Sequence, residues 1–177
     1  MFRLTTFKPL NLLKQQSRLS TFNFIRYQST CTNKVNVVNL AKLPESKGIN
    51  NIVYTSSHEW LAYNKESKIG YLGITQYAAN HMGDVTYVEL SDVEEVIEAG
   101  ESIGSVESVK SSNEIYTPYK IEVLENNMDT LNDKPQLVSE EAMGEAWLLK
   151  VKVLEEQSEE PVLDLEKYET YLKGCDE

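Results

Sequence analysis

A lysine set between two strand-forming segments is the most distinctive chemical feature of this chain: Val106-Glu107-Ser108-Val109-Lys110-Ser111-Ser112-Asn113-Glu114-Ile115-Tyr116. The small polar residues that follow Lys110 suit a turn. The pattern therefore predicts a tight hairpin from which the lysine projects, its apolar neighbours held in the sheet. A rigid, protruding ε-amine without bulk around it is what a modifying ligase needs, and amide formation there removes the lysine's charge. On residue type alone, the same lysine is also an ordinary exposed surface residue.

Other candidate chemistry is weaker. Gly100-Glu101-Ser102-Ile103-Gly104 fits the G-x-S-x-G elbow of serine hydrolases. That elbow needs a strand–turn–helix context and a histidine later in the chain. Both histidines, His58 and His81, precede Ser102, and strand-like sequence follows it, so two glycines at a strand turn is the better reading. His58-Glu59 begins like a zinc motif, but position 62 is Ala62 and no other His or Cys stands at ligand spacing, so no metal is expected. The pairs Glu94-Glu95 and Glu140-Glu141 read as solvated faces of an acidic domain. No glycine-rich phosphate loop precedes a helix. Conventional enzyme signatures are absent, and the sequence assigns no catalytic residue.

Strand patterns dominate the elements that must position Lys110. Ile52-Val53-Tyr54, His58 to Tyr63 and Ile69 to Ile74 read as strands, with Asn64 to Ser67 a turn. Thr75 is placed to cap a short helix through Met82, and Gly83 suits the residue after its end. Asp84 to Leu90, Ser102–Val109, Ser112–Tyr116, Lys120–Leu124 and Trp147–Leu154 read as further strands. Ser91 to Ala99 is expected to be acidic loop, and Leu131–Glu145 mixes turn and helix signals. A final helix is expected, capped by Ser158, with Pro161 in its first turn, Val162, Leu165, Tyr168 and Leu172 on one face, and Gly174 at its end. Many short strands with few helices predict a β-rich sandwich or barrel with peripheral helices.

Charge divides the chain. Up to Pro44 there are three Arg, four Lys and no acidic residue; all 28 Asp and Glu follow, against ten Lys and no Arg. The basic start, with Arg3, Lys8, Lys14, Arg18 and Arg26 among Ser, Thr and Asn, has the character of an organellar transit peptide. A nucleic-acid-binding tail fits less well, because the acidic remainder would repel phosphates. No apolar run approaches the roughly 18 residues that span a membrane. Cys31 and Cys175 form neither a CxxC pair nor a disulfide framework. The organisation expected is a transit peptide over 1–33, a flexible lead-in over 34–50, and one domain over 51–177.

Two blocks, Gly83-Asp84-Val85-Thr86-Tyr87-Val88-Glu89-Leu90 and Gly104-Ser105-Val106-Glu107-Ser108-Val109-Lys110, strongly resemble the H-protein family of the glycine cleavage system. Ser57-His58-Glu59-Trp60 and Gly73-Ile74-Thr75 extend the likeness toward the N-terminus. Glu114-Ile115-Tyr116-Thr117-Pro118, Pro135-Gln136-Leu137-Val138 and Trp147-Leu148-Leu149-Lys150 extend it toward the C-terminus, so that it covers about Tyr54 to the end. Two stretches depart from the family pattern. Tyr119-Lys120 stand where a small residue and then glycine are usual, and Ala142-Met143-Gly144-Glu145-Ala146 replaces a usual Pro-Tyr and the glycine before Trp147. The turn at Tyr119-Lys120 is expected to differ accordingly.

The resemblance implies a mainly β, lipoyl-type barrel-sandwich hybrid of antiparallel strands with a short internal helix and a C-terminal helix. It implies covalent lipoate on Lys110, and an arm that folds back against Ser57, Glu59, His81 and Glu114. It also implies a shuttle that is not itself an enzyme; the basic leader points to the mitochondrial matrix, and no nucleic-acid or membrane partner is expected. The pyridoxal-phosphate glycine decarboxylase (P protein) would load an aminomethyl group, the folate-dependent aminomethyltransferase (T protein) would remove it, and dihydrolipoamide dehydrogenase (L protein) would reoxidise the dithiol. A lipoyl/octanoyl transferase would attach the arm. Since water decomposes such an adduct to formaldehyde and ammonia, a carboxylate-bearing cleft would protect it. Competing readings are a lipoate relay to 2-oxoacid dehydrogenases and a scaffold whose acceptor lysine is never modified.

Overall fold

The computed structural model describes residues 35–175; the transit-peptide reading, Cys31 and the last two residues lie outside them. Nine strands and four helices follow one another: β1 (Asn51–Tyr54), β2 (Glu59–Tyr63), β3 (Ile69–Ile74), α1 (Gln76–Met82), β4 (Val85–Leu90), β5 (Val96–Ile97), β6 (Ser102–Ser108), β7 (Ser112–Tyr116), β8 (Lys120–Asn126), α2 (Met128–Asp133), α3 (Gln136–Glu140), β9 (Leu149–Glu155) and α4 (Leu165–Cys175). A six-stranded sheet has the order β1-β2-β3-β9-β8-β5, and a three-stranded sheet the order β4-β6-β7. Every pairing is antiparallel. The fold is the expected one, two antiparallel sheets with a short internal helix and a C-terminal helix.

One core lies between the sheets. Leu61, Leu72, Ile121, Val123, Val151 and Val153 from the larger sheet meet Val88, Ile103, Val106 and Ile115 from the smaller. Alternation along each strand sends these side chains inward and polar neighbours outward. Strand β2 breaks the alternation, since all five of its residues are buried. Leu61 and Tyr63 enter the main core, while Trp60 and Ala62 enter a second cluster with Val38, Leu43, Tyr54, Tyr71, Trp147, Tyr168 and Leu172. The outer face of this sheet is thus covered by the segment before β1 and by α4. Trp60 lies over Gly73, where a Cβ would stand 2.7 Å from the indole ring, and its indole N–H donates to the Ile74 carbonyl at 2.8 Å. No residue with a side chain fits at Gly73 without moving the tryptophan.

Four expectations are corrected. The stretch read as a flexible lead-in, 34–50, is docked over its described residues: Asn36, Val38 and Leu43 are buried, and the Asn39 amide donates to the Met143 carbonyl at 2.6 Å. The acidic loop 91–99 contains β5, whose Ile97 is buried and pairs with Ile121; two residues are too few to reveal a period. The last helix starts at Leu165 instead of near Ser158, and Asp164 is its cap, accepting from the Lys167 amide at 2.9 Å. The residues before it run extended because Leu163 pairs with Tyr54 at the edge of the large sheet. Gly174 lies inside α4, whose last residue is Cys175.

The two departures from the family pattern are absorbed locally. Tyr119 is buried edge-on against Tyr63, and Lys120 opens β8 at a register shift, paired with Glu98 at 2.7 Å. Lys120 keeps an ordinary negative φ. Ala142 and Ala146 are fully buried, and the Ala142 carbonyl accepts from Trp60 at 3.1 Å.

Candidate functional site

Lys110 sits at the tip of the β6–β7 hairpin, in the turn Ser108-Val109-Lys110-Ser111. The Ser108 amide donates to the Ser111 carbonyl at 2.8 Å and closes the turn. The Ser108 hydroxyl oxygen accepts from the amides of Lys110 at 3.2 Å and Ser111 at 3.1 Å, which is the short-range bonding that makes serine a turn residue. A further bond ties the tip to the body: the Val109 amide donates to the Asp84 carbonyl at 3.1 Å. Lys110 is exposed, and the Val109 side chain is 67% exposed beside it. The lysine therefore stands on a fixed base with little around it.

The residue against which Lys110 rests is Gly83, just after α1. Thr75 caps this helix as expected, its hydroxyl oxygen accepting from the Ala78 amide at 3.3 Å. Gly83 ends it with φ of 78° and ψ of −139°, a backbone conformation essentially reserved for glycine.

Strand β7 leads from the lysine turn to a cleft of about 250 Å³, lined by Thr55, Ser57, Glu59, Gly100, Tyr116, Thr117, Pro118 and residues 158–162. Glu59 forms its floor and is only 1% exposed. Its carboxylate accepts from the Thr55 hydroxyl and, at 3.1 Å, from the Tyr116 amide, and Ser57 lines the cleft beside it. Burial raises the carboxyl's pKa above the ordinary range, and these hydrogen bonds offset part of the rise. On the outer side, Glu114 is exposed and accepts from the Tyr116 hydroxyl at 2.8 Å. Among the described residues no lysine, arginine or histidine lines the cleft, whereas Glu59, Glu159 and Glu160 do. Its chemistry suits a small cation.

Of the residues singled out in the sequence, Ser57 and Glu59 share the cleft, and Glu114 joins them through Tyr116. His81 does not line it. The ring of His81 lies 4.2 Å from that of Tyr77 and its Nδ1 is 2.8 Å from the Tyr77 carbonyl oxygen, on the α1 turn that leads to Gly83. Ser102 is an exposed residue of β6 whose hydroxyl meets the backbone of Gly104, without the strand–turn–helix elbow of a hydrolase. Among the described residues no cluster of His, Cys, Asp and Glu could hold a metal ion. Sequence reasoning missed Thr55, Tyr116, Glu159 and Glu160. Tyr116 carried a usable signal, since it lies two residues beyond Glu114 and shares its face of the strand. Glu159 and Glu160 lie between Ser158 and Pro161, the expected start of the final helix, and instead form a wall of the cleft.

Comparison with known proteins finds related sequences and a related fold. The family described as "Glycine cleavage H-protein" matches residues 52–175. The chain is 41% identical over 159 residues to "Glycine cleavage system H protein, mitochondrial" of Saccharomyces cerevisiae, covering 88% of this chain and 92% of that protein. It is 39% identical over 124 residues to "Glycine cleavage system H protein" of Bacteroides thetaiotaomicron, covering 70% and 96%. The crystal structure of a glycine cleavage system H protein from Mycobacterium marinum superposes with a TM-score of 0.62 at 28% identity, over 69% of this chain and 96% of that one.

Proposed function

The chain belongs to the glycine cleavage H-protein family, and on that premise we propose that it is a lipoyl carrier of the mitochondrial matrix, bearing its lipoyl arm on Lys110. Members of this family are carrier components and not enzymes. The observation that carries the assignment to Lys110 is its place on a hairpin tip closed by Ser108, at the head of the strand that runs to a carboxylate-lined cleft.

A lipoyl group amide-linked there supplies a disulfide/dithiol couple and a sulfur on which the aminomethyl group of glycine travels. The rest is the work of this chain's own residues. Ser108 and the Val109–Asp84 bond hold the attachment point still. Glu114 and, at the cleft mouth, Tyr116 follow Lys110 along β7 and would be the residues to hold an arm folded back from it. There Glu59 and Glu114 hold the cargo's ammonium through charge-assisted hydrogen bonds, and Ser57 lines the cleft beside the buried carboxylate. An ammonium beside Glu59 also favours its ionised form, which burial alone opposes. The cleft walls would shield a cargo held there from part of the surrounding water.

The partners are the glycine decarboxylase, the folate-dependent aminomethyltransferase, dihydrolipoamide dehydrogenase and a lipoyl/octanoyl transferase. The strong acidic charge suits brief encounters with basic patches on larger enzymes, raising on-rates without tight binding. The basic leader and the mitochondrial relative in yeast support the compartment. A bare relay of lipoate would have no use for a buried carboxylate, so Glu59 favours the carrier over the relay. Reconstitution tests the proposal: lipoylated chain should support release of CO2 from labelled glycine by the decarboxylase, and Lys110→Arg should abolish it. Release sustained by the Lys110→Arg chain would refute the assignment.

A further inference from the structure

Tyr116 donates to both carboxylates of the site, its backbone amide to Glu59 at 3.1 Å and its hydroxyl to Glu114 at 2.8 Å. We infer that Tyr116 is a positioning residue, whose hydroxyl fixes the exposed Glu114 carboxylate toward the cleft so that Glu59 and Glu114 grip one ammonium from two sides. The inference rests on the arm-docking reading above and adds a residue to it.

The argument is geometric. Glu59 is buried and held by the Thr55 hydroxyl and the Tyr116 amide, so it needs no help to keep its place. Glu114 is exposed on a strand, and a free glutamate side chain there samples many rotamers; ordering it costs entropy at the moment of binding. Residues two apart on a strand share a face, which is how the phenol at position 116 reaches the carboxylate at 114. Because the same residue's amide binds Glu59, the two carboxylates are referenced to one short piece of β7. A phenol that donates to a carboxylate is harder to ionise, and Glu114 does hold the Tyr116 hydroxyl above its ordinary range. The hydroxyl therefore stays a donor throughout the physiological range.

Tyr116→Phe removes the hydroxyl and keeps both the ring and the amide to Glu59. The test uses full mature chain, lipoylated and loaded from glycine by the decarboxylase. Water cleaves the loaded S–CH2–NH3+ unit to thiol, formaldehyde and ammonium, and the formaldehyde is followed over time. Release from Tyr116→Phe should be about three- to ten-fold faster than from wild type, the scale of one hydrogen bond to a charged group in a partly solvated site. Glu114→Gln should speed release to a similar degree, and the double variant should be no faster than Glu114→Gln alone. In unlipoylated chain, the Tyr116 phenol, followed by ring-carbon NMR, should ionise at lower pH in Glu114→Gln than in wild type. Wild-type release from Tyr116→Phe, with fast release from Glu114→Gln and Glu59→Gln, would overturn the positioning role and leave the docking reading intact. Wild-type release from both glutamate variants would overturn the docking reading and the inference with it.

Discussion

The ammonium of Lys110 rests against Gly83: a Cβ built on that glycine would stand 3.2 Å from Nζ. The end of α1 and the hairpin tip are thus fitted to each other, and the Val109 amide bonded to the Asp84 carbonyl fixes the same junction. Gly83 has φ of 78°, where a side chain is strained. Gly83→Ala should therefore destabilise the fold by about 1–3 kcal/mol, read as a lower urea midpoint at unchanged slope.

Ser108 holds the turn from inside. Ser108→Ala removes the acceptor for the amides of Lys110 and Ser111. Both amides are at an exposed tip, so water replaces the bond and the cost in stability should be under about 1 kcal/mol. The loosened tip should nevertheless slow single-turnover lipoyl transfer to Lys110 by about three-fold or more, since about 0.7 kcal/mol of lost pre-organisation is enough for that.

Glu59 couples the site to pH. Its folded-state pKa is raised by burial, so the folded chain binds the proton more tightly than the unfolded one. Stability from this group is therefore fully present below the ordinary glutamate pKa and is lost as pH rises through the raised value. The stability of wild type minus that of Glu59→Gln should therefore fall as pH rises above the ordinary glutamate range, and not as pH falls below it. A pair of denaturation series measures it.

Tyr168 anchors α4. Its hydroxyl meets Thr75 Oγ1 at 2.9 Å and His58 Nδ1 at 2.9 Å, and its ring stacks on Tyr54 at 4.9 Å. Tyr168→Phe keeps the stack and leaves buried Thr75 with one partner fewer, which should cost about 1–3 kcal/mol in chemical denaturation. Burial, and then the nearby His81, lower the pKa of His58, so its neutral form belongs to the fold. Protonation of the unfolded chain then drains stability as pH falls below about 6.5. That acid-side loss should be visible in wild type and reduced in His58→Asn.

The sequence made the hairpin, the helix cap at Thr75 and eight of the nine strands legible, because turn chemistry and alternation are local signals. Segments whose structure depends on distant partners were not legible. Leu163 is extended because Tyr54 pairs with it, 109 positions away along the chain, and no local pattern reports that. The lead-in docks because Trp60, Tyr71 and Trp147 offer it an apolar surface, which the strand pattern of β2 conceals by being buried on both faces. The site was half legible for the same reason. Lys110 announces itself by its turn, whereas the cleft assembles from residues 55–59, 100, 116–118 and 158–162.

The most direct measurement is the intact mass of the mature protein isolated from mitochondria, with fragmentation of the peptide that contains Lys110. The account requires a lipoyl increment localised to Lys110. An unmodified Lys110, in cells whose other lipoyl proteins carry the group, would contradict the carrier reading and leave a scaffold in its place.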